Sequence, residues 1–164
     1  MSRVEYWNDP GAPAPNSLVP ACGVLAVDGQ GRVLLQRRRD TGQWALPMGK
    51  MELGETPSGC AIRETREETG LTLAGERVVI QRYLPSNGGS DESVTLFCGR
   101  VDSTVAGGVH GLPAEHEDIR VVVKTLAEVE AMLDAGTIES GHTLIALYWL
   151  LRHRDHLRKQ WAAS

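Results

Sequence analysis

A chain of 164 residues with 17 Lys and Arg against 21 Asp and Glu carries a formal net charge of −4, the profile of an ordinary globular domain and not of a disordered or fibrous chain. This mildly acidic balance lacks the clustered cations that hold nucleic acid polymers or anionic membranes, the run Arg37-Arg38-Arg39 excepted. Cys22, Cys60 and Cys98 fit neither a disulfide framework nor a paired-thiolate zinc site and point to a reducing cytoplasm, and the chain shows neither a signal peptide's apolar core nor the ~20 apolar residues of a membrane span.

The predicted elements open with an extended arm over residues 1–20, because residues 9–20 hold four prolines and little hydrophobic pattern. A single domain follows over residues 21–164. Ala21 to Val27 and Arg32 to Gln36 read as strands joined by the turn Asp28-Gly29-Gln30-Gly31. Thr56 before Pro57 is a cap followed by a favoured first helical residue, and Gly70 is a stop, so Pro57 to Thr69 is predicted helical. Glu76 to Leu84 and Ser93 to Val101 are strand-like, and a loop runs from Asp102 to Glu117. Asp118 to Lys124 reads as a strand. Thr125-Leu126-Ala127-Glu128 matches a capping box, Gly136 closes the helix it opens, and a last helix runs from Gly141 to Arg158. This order predicts an α/β/α sandwich with a central mixed β-sheet.

Glu64, Glu67 and Glu68 stand at i, i+3 and i+4 of the first predicted helix, a spacing that stacks carboxylates along one side. Such like-charge pairs each cost about 0.2–0.5 kcal/mol. Two readings offset that cost: a solvated face neutralised by Arg63 and Arg66, or a set of hard oxygen ligands for a divalent cation such as Mg²⁺. The surrounding letters favour the second. From Gly49, five residues lead to Glu55, seven more to Arg63-Glu64, then come Glu67-Glu68 and Gly70-Leu71. The chain thereby resembles the Nudix hydrolases, whose box it matches over residues 49–71. Thr65 departs from that pattern, standing where the family carries an aliphatic residue; this predicts a looser buried side of the helix and an unaltered reaction.

The resemblance implies a Nudix fold and a phosphoanhydride hydrolase that depends on Mg²⁺, with Mn²⁺ as a substitute. It implies that Glu64, Glu67 and Glu68, with the backbone carbonyl of Met48, hold metal, and that Glu55 and Arg63 keep those ligands oriented. Bound metals would neutralise and orient a diphosphate and lower the pKa of a water, so no serine or cysteine nucleophile is required.

Substrate choice lies outside the box. From Tyr83 onward the chain is similar to bacterial ADP-ribose pyrophosphatases, through Gly88-Gly89-Ser90-Asp91-Glu92, Gly107-Gly108-Val109-His110-Gly111-Leu112, Glu115-His116-Glu117-Asp118 and Ile145-Ala146-Leu147-Tyr148-Trp149-Leu150. Asn87 replaces the proline usual in that turn. The front half, with Asn16-Ser17-Leu18-Val19-Pro20 and Trp44-Ala45-Leu46-Pro47-Met48-Gly49-Lys50, looks more like small Nudix enzymes acting on nucleoside triphosphates, so the chain reads as a mosaic. The resemblance implies hydrolysis of ADP-ribose to AMP and ribose 5-phosphate, with nucleoside triphosphates, including oxidised ones, as the alternative. It makes Glu115 the loop carboxylate acting on the attacking water, Glu117 its nearest substitute, and Glu92 a substrate contact or support for the metals; read alone, Glu115 and Glu117 are acids of a solvated turn. The implied partner is a small nucleotide, with no nucleic acid polymer and no membrane, and the implied assembly is a homodimer. Without the family, Arg37 to Arg39 either reach phosphates or end a strand, His110, His116 and His142 are loop or cap residues, and Trp149 and Trp161 pack the last helix against the sheet or a second subunit.

Overall fold

Residues 10–11, 19–39, 41–87, 91–111 and 118–162 are described by a computed structural model of the chain. The expected arm therefore lies mostly outside the described residues; its last two positions already belong to the first strand.

That strand, β1 (Val19–Asp28), is buried from Ala21 onward, so its unbroken apolar run Val24-Leu25-Ala26-Val27 is that of a central strand covered on both faces. A turn at Gly29 to Gly31 leads into β2 (Val33–Arg38), antiparallel to it with Ala26 opposite Leu34. Two short strands follow, β3 (Trp44–Ala45) against β2 and β4 (Met48–Lys50) against β1. Helix α1 (Pro57–Thr69) has the predicted bounds. The Thr56 hydroxyl accepts from the Gly59 N–H at 3.0 Å, and Gly70 ends the helix by donating its N–H to the Arg66 carbonyl at 2.9 Å.

After α1 come β5 (Ala74–Tyr83) and β6 (Glu92–Val101), then a 3₁₀ turn over Ser103–Val105, β7 (Val109–His110) and β8 (Ile119–Lys124). The chain closes with α2 (Leu126–Asp134) and α3 (Gly141–Ala162). The capping box at Thr125 and Glu128 is formed on both sides, whereas α3 runs four residues past the expected Arg158. The sheet order is β5-β6-β1-β2-β8-β7. Among the described residues its one parallel pair, β1 with β6, keeps register from Val19 opposite Glu92 to Asp28 opposite Val101, so the sheet is mixed.

Strand alternation divides the core in two. Leu25, Val27, Val33, Leu35, Val94 and Leu96 face α2 and α3, while Cys22, Val24, Ala26, Leu34 and Phe97 face α1. The result is the expected α/β/α sandwich. Thr65, the odd letter of the box, is fully buried in α1, and its hydroxyl donates to the Ala61 carbonyl at 2.7 Å. Bonding back into its own helix, it brings no unsatisfied polar group into the core. Among the described residues, no helix is long and apolar enough to cross a membrane.

Candidate active site on the acidic helix

Glu68 is 4% exposed and faces the sheet from α1. One carboxylate oxygen, Oε2, accepts from the Gln36 Nε2 of β2 at 2.8 Å and from the backbone N–H of Met48 in β4 at 2.9 Å. A buried carboxylate is tolerable when donors meet it, and these two also tie α1 to two strands. Met48, whose carbonyl was expected among the ligands, meets the box here through its N–H.

Arg63 organises the remaining acids. Its Nε and Nη2 form a fork on the two Glu55 oxygens at 3.0 and 3.1 Å. Nη1 donates to Glu64 at 2.8 Å and to Glu67 at 3.0 Å, and Nη2 also reaches the Lys50 carbonyl at 2.9 Å. Glu55 is fixed further by the Glu52 N–H at 3.0 Å. The Arg63 hydrogen bonds hold the Glu55 carboxyl below its ordinary pKa, and the same bonds raise that of Arg63.

Gly49 shows how tightly the loop closes over α1. A Cβ built there would sit 2.0 Å from the Glu64 Oε1, so any side chain would displace that carboxylate. Glu55, Glu64 and Glu67 therefore share one guanidinium beneath a strand with no side chain in the way. Among the described residues, no three His, Cys, Asp or Glu side chains form a closed ligand cage; Arg63 lies between the acids instead. The donor set is nevertheless all carboxylate oxygen with an excess of negative charge, which suits a hard divalent cation that keeps waters and substrate oxygens among its ligands.

The other sequence candidates lie elsewhere. Glu92 heads β6 on the strand parity of Val94 and Leu96, the α3 side of the sheet. There it is close enough to Tyr83, itself hydrogen-bonded to His142, that burial and then the Glu92 charge push the phenol up to about 12. Glu115 and Glu117 lie outside the described residues. The arginine run disperses: Arg37 lies over the Trp44 ring, 5.4 Å from its centroid, and Arg39 pairs with Asp118 at 3.3 Å. His110 bonds the Gly107 carbonyl at 2.7 Å, Trp149 stacks on His153, and all three cysteines are buried thiols. Gln36 was missed. Its signal was present, since it shares parity with the core residue Leu34 and is a polar side chain at an inward position.

A family model described as NUDIX domain matches residues 17–144. The chain is 39% identical over 121 residues to the ADP-ribose pyrophosphatase of Escherichia coli strain K12, covering 73% of this chain and 57% of that protein. It is 36% identical over 123 residues to the ADP-ribose pyrophosphatase of Haemophilus influenzae, covering 74% and 56%. A shorter match, 38% over 85 residues, joins it to the RNA pyrophosphohydrolase of Roseobacter denitrificans, covering 49% and 53%. The chain thus spans little more than half the length of these curated relatives.

Proposed function

This chain belongs to the Nudix family, and on that premise we propose that it hydrolyses the phosphoanhydride of a nucleoside diphosphate linked to another moiety, with ADP-ribose, cut to AMP and ribose 5-phosphate, as the leading substrate. The observation that carries the reaction class is the carboxylate set of Glu55, Glu64 and Glu67 gathered on Arg63 beneath Gly49, with Glu68 anchored beside it.

In this reading Glu64, Glu67, Glu68 and the Met48 carbonyl hold Mg²⁺, or Mn²⁺ in its place. Bound there, the cation supplies charge neutralisation for the diphosphate and a more acidic water. Glu55 and Arg63 are positioning residues: the fork between them fixes the guanidinium, and the guanidinium fixes Glu64 and Glu67. Glu115, or Glu117 in its place, takes the proton of the attacking water. Glu92, on the other face of the sheet, contacts the part of the substrate away from the phosphates. The reading further assigns the chain to the cytoplasm, in keeping with three unpaired thiols, and to a homodimer.

ADP-ribose is favoured because the relatives matched over most of this chain carry that name. Nucleoside triphosphates, ordinary or oxidised, are the second reading, supported by the triphosphate-type front of the chain, Asn16 to Pro20 and Trp44 to Lys50. A panel of ADP-ribose, other nucleotide sugars, dinucleotides and triphosphates with Mg²⁺ or Mn²⁺ separates them. ADP-ribose should give the highest kcat/KM. Triphosphates cleaved at least about ten times more efficiently, about 1.4 kcal/mol in transition-state binding, would install the second reading.

A further inference from the structure

A cavity of about 330 Å³ opens at the far end of the molecule, between the β1–β2 turn, the end of β6 and the last turns of α3. Its floor is apolar, made by Val27, Leu126, Leu150 and Leu157, and its wall carries the indole of Trp161. Three arginines line it from two elements: Arg100 from β6, and Arg154 and Arg158 from α3. The acidic helix packs on the opposite face of the sheet, so this cavity is no part of the site already described.

Several contacts hold the arrangement. Arg100 lies over the Trp161 ring, 5.9 Å from its centroid, and donates to the Trp161 carbonyl at 3.2 Å, joining β6 to the end of α3. The Arg158 Nη2 lies 3.6 Å from where a Cβ of Gly31 would be, so the guanidinium passes close over the β1–β2 turn. Asp28, the acid lining the cavity, is already taken by Arg32 at 2.7 Å and by Ser103 at 2.5 Å. Arg154 meets Glu130 only at 3.7 Å, with both side chains about half exposed, a pairing easily displaced. Among the described residues, neither Arg100 nor Arg158 has a carboxylate within ion-pair distance.

A cation gains from the helix dipole only within the last turn, which in α3 holds Lys159, so the dipole does not account for Arg154 or Arg158. Nor does it explain Arg100, which reaches the same cavity from a strand. Guanidiniums are the planar, multi-donor groups that suit phosphate oxygens, whereas an indole wall and an aliphatic floor suit a flat apolar body. A volume near the lower end of ligand pockets suits a mononucleotide. We propose that this cavity is a second binding site, remote from the acidic helix, for a nucleoside monophosphate, with the phosphate on Arg100, Arg154 and Arg158 and the base against Trp161 and the floor.

The test is calorimetric titration of the full chain with AMP, inorganic phosphate or adenosine, under a metal chelator so that no turnover occurs. One AMP should bind per chain. Arg154→Ala combined with Arg158→Ala should weaken it about tenfold or more, Arg158→Lys should weaken it less, and Glu68→Gln should leave it unchanged. Phosphate alone and adenosine alone should each bind at least about tenfold more weakly than AMP. The Trp161 indole N–H resonance, assigned through Trp161→Phe, should move on adding AMP to the parent and stay still in the double variant. Arg154 and Arg158 are exposed, so the double variant keeps its fold, and circular dichroism checks this. Absence of AMP binding, equal affinity in the double variant, a stationary Trp161 resonance, or loss of binding in Glu68→Gln would each overturn the proposal. Adenosine or phosphate binding as tightly as AMP would overturn it as well.

Discussion

Gln36 and Glu68 are 2% and 4% exposed, and each makes the other's burial tolerable: the amide supplies a donor, and the carboxylate gives a partner to the one polar side chain in the buried stretch Val33 to Gln36 of β2. Gln36→Leu removes that donor while filling the same space, so stability should fall by about 1–3 kcal/mol, the usual cost of leaving a buried acceptor short of a partner. Denaturant unfolding at pH 7 checks this, and a gain in stability would show that Glu68 manages without the amide. Arg63 acts on three acids at once. In Arg63→Lys the charge remains but the fork on Glu55 is lost, because an ammonium cannot grip two carboxylate oxygens while reaching two further acids. Mn²⁺ affinity and activity should both fall about 10- to 100-fold, with Mn²⁺ titration of the protein alone as the direct reading. Unchanged affinity would reduce Arg63 to a surface ion-pair partner.

Among the elements, the β1–β2 turn rests on one acid. The buried Asp28 carboxylate accepts from the backbone N–H groups of Gln30 at 2.8 Å and Arg32 at 2.9 Å, and from the Arg32 Nε at 2.7 Å. Burial alone would raise its pKa, but the bonds from Ser103, Arg32 and Gln30 outweigh it and hold the group below the ordinary 3.8. A carboxyl depressed in the folded state contributes stability that is present above its unfolded pKa and lost as pH falls through the folded value. Asp28→Asn should therefore cost about 1.5–3 kcal/mol at neutral pH and narrow its deficit below about pH 4, as thermal unfolding across pH 2–7 would show. A deficit independent of pH would mean that the carboxylate's charge is immaterial. Helix α1 was legible to the residue because its signals are local: Thr56, Pro57 and Gly70 each act within one turn. The strands β3, β4 and β7 were not, since two or three residues carry no period and exist as strands only through partners elsewhere in the chain. Gln36 differs: its inward parity was readable in β2, but the glutamate that gives it a role sits on another element.

Across the whole molecule, the proposed mechanism has the acidic helix supply ligands and leaves proton transfer to a carboxylate from outside it. Glu115→Gln should lower kcat by about 10²- to 10⁴-fold, the usual worth of a general base, while Mn²⁺ affinity stays near the parent value. The same loss confined to Glu117→Gln would transfer the role, and normal rates in both would deny this loop any base. The sandwich and the box were readable because patterning and spacing survive in one dimension; the Arg100–Trp161 cavity was not, because its cations come from positions far apart in sequence. One consequence belongs to the order in which the fold can be made. Strand β1 is central, yet its parallel neighbour β6 lies roughly seventy positions later. That pairing must close a long loop before any of its ten-residue register is repaid, the circumstance that slows folding most. During synthesis β1 emerges with β2, β4 and α1 while one of its edges stays unpaired, so a buried, apolar central strand waits for cover until β6 is made. Its aggregation hazard is thus greatest in the newborn chain, and the arrival of β6 ends it.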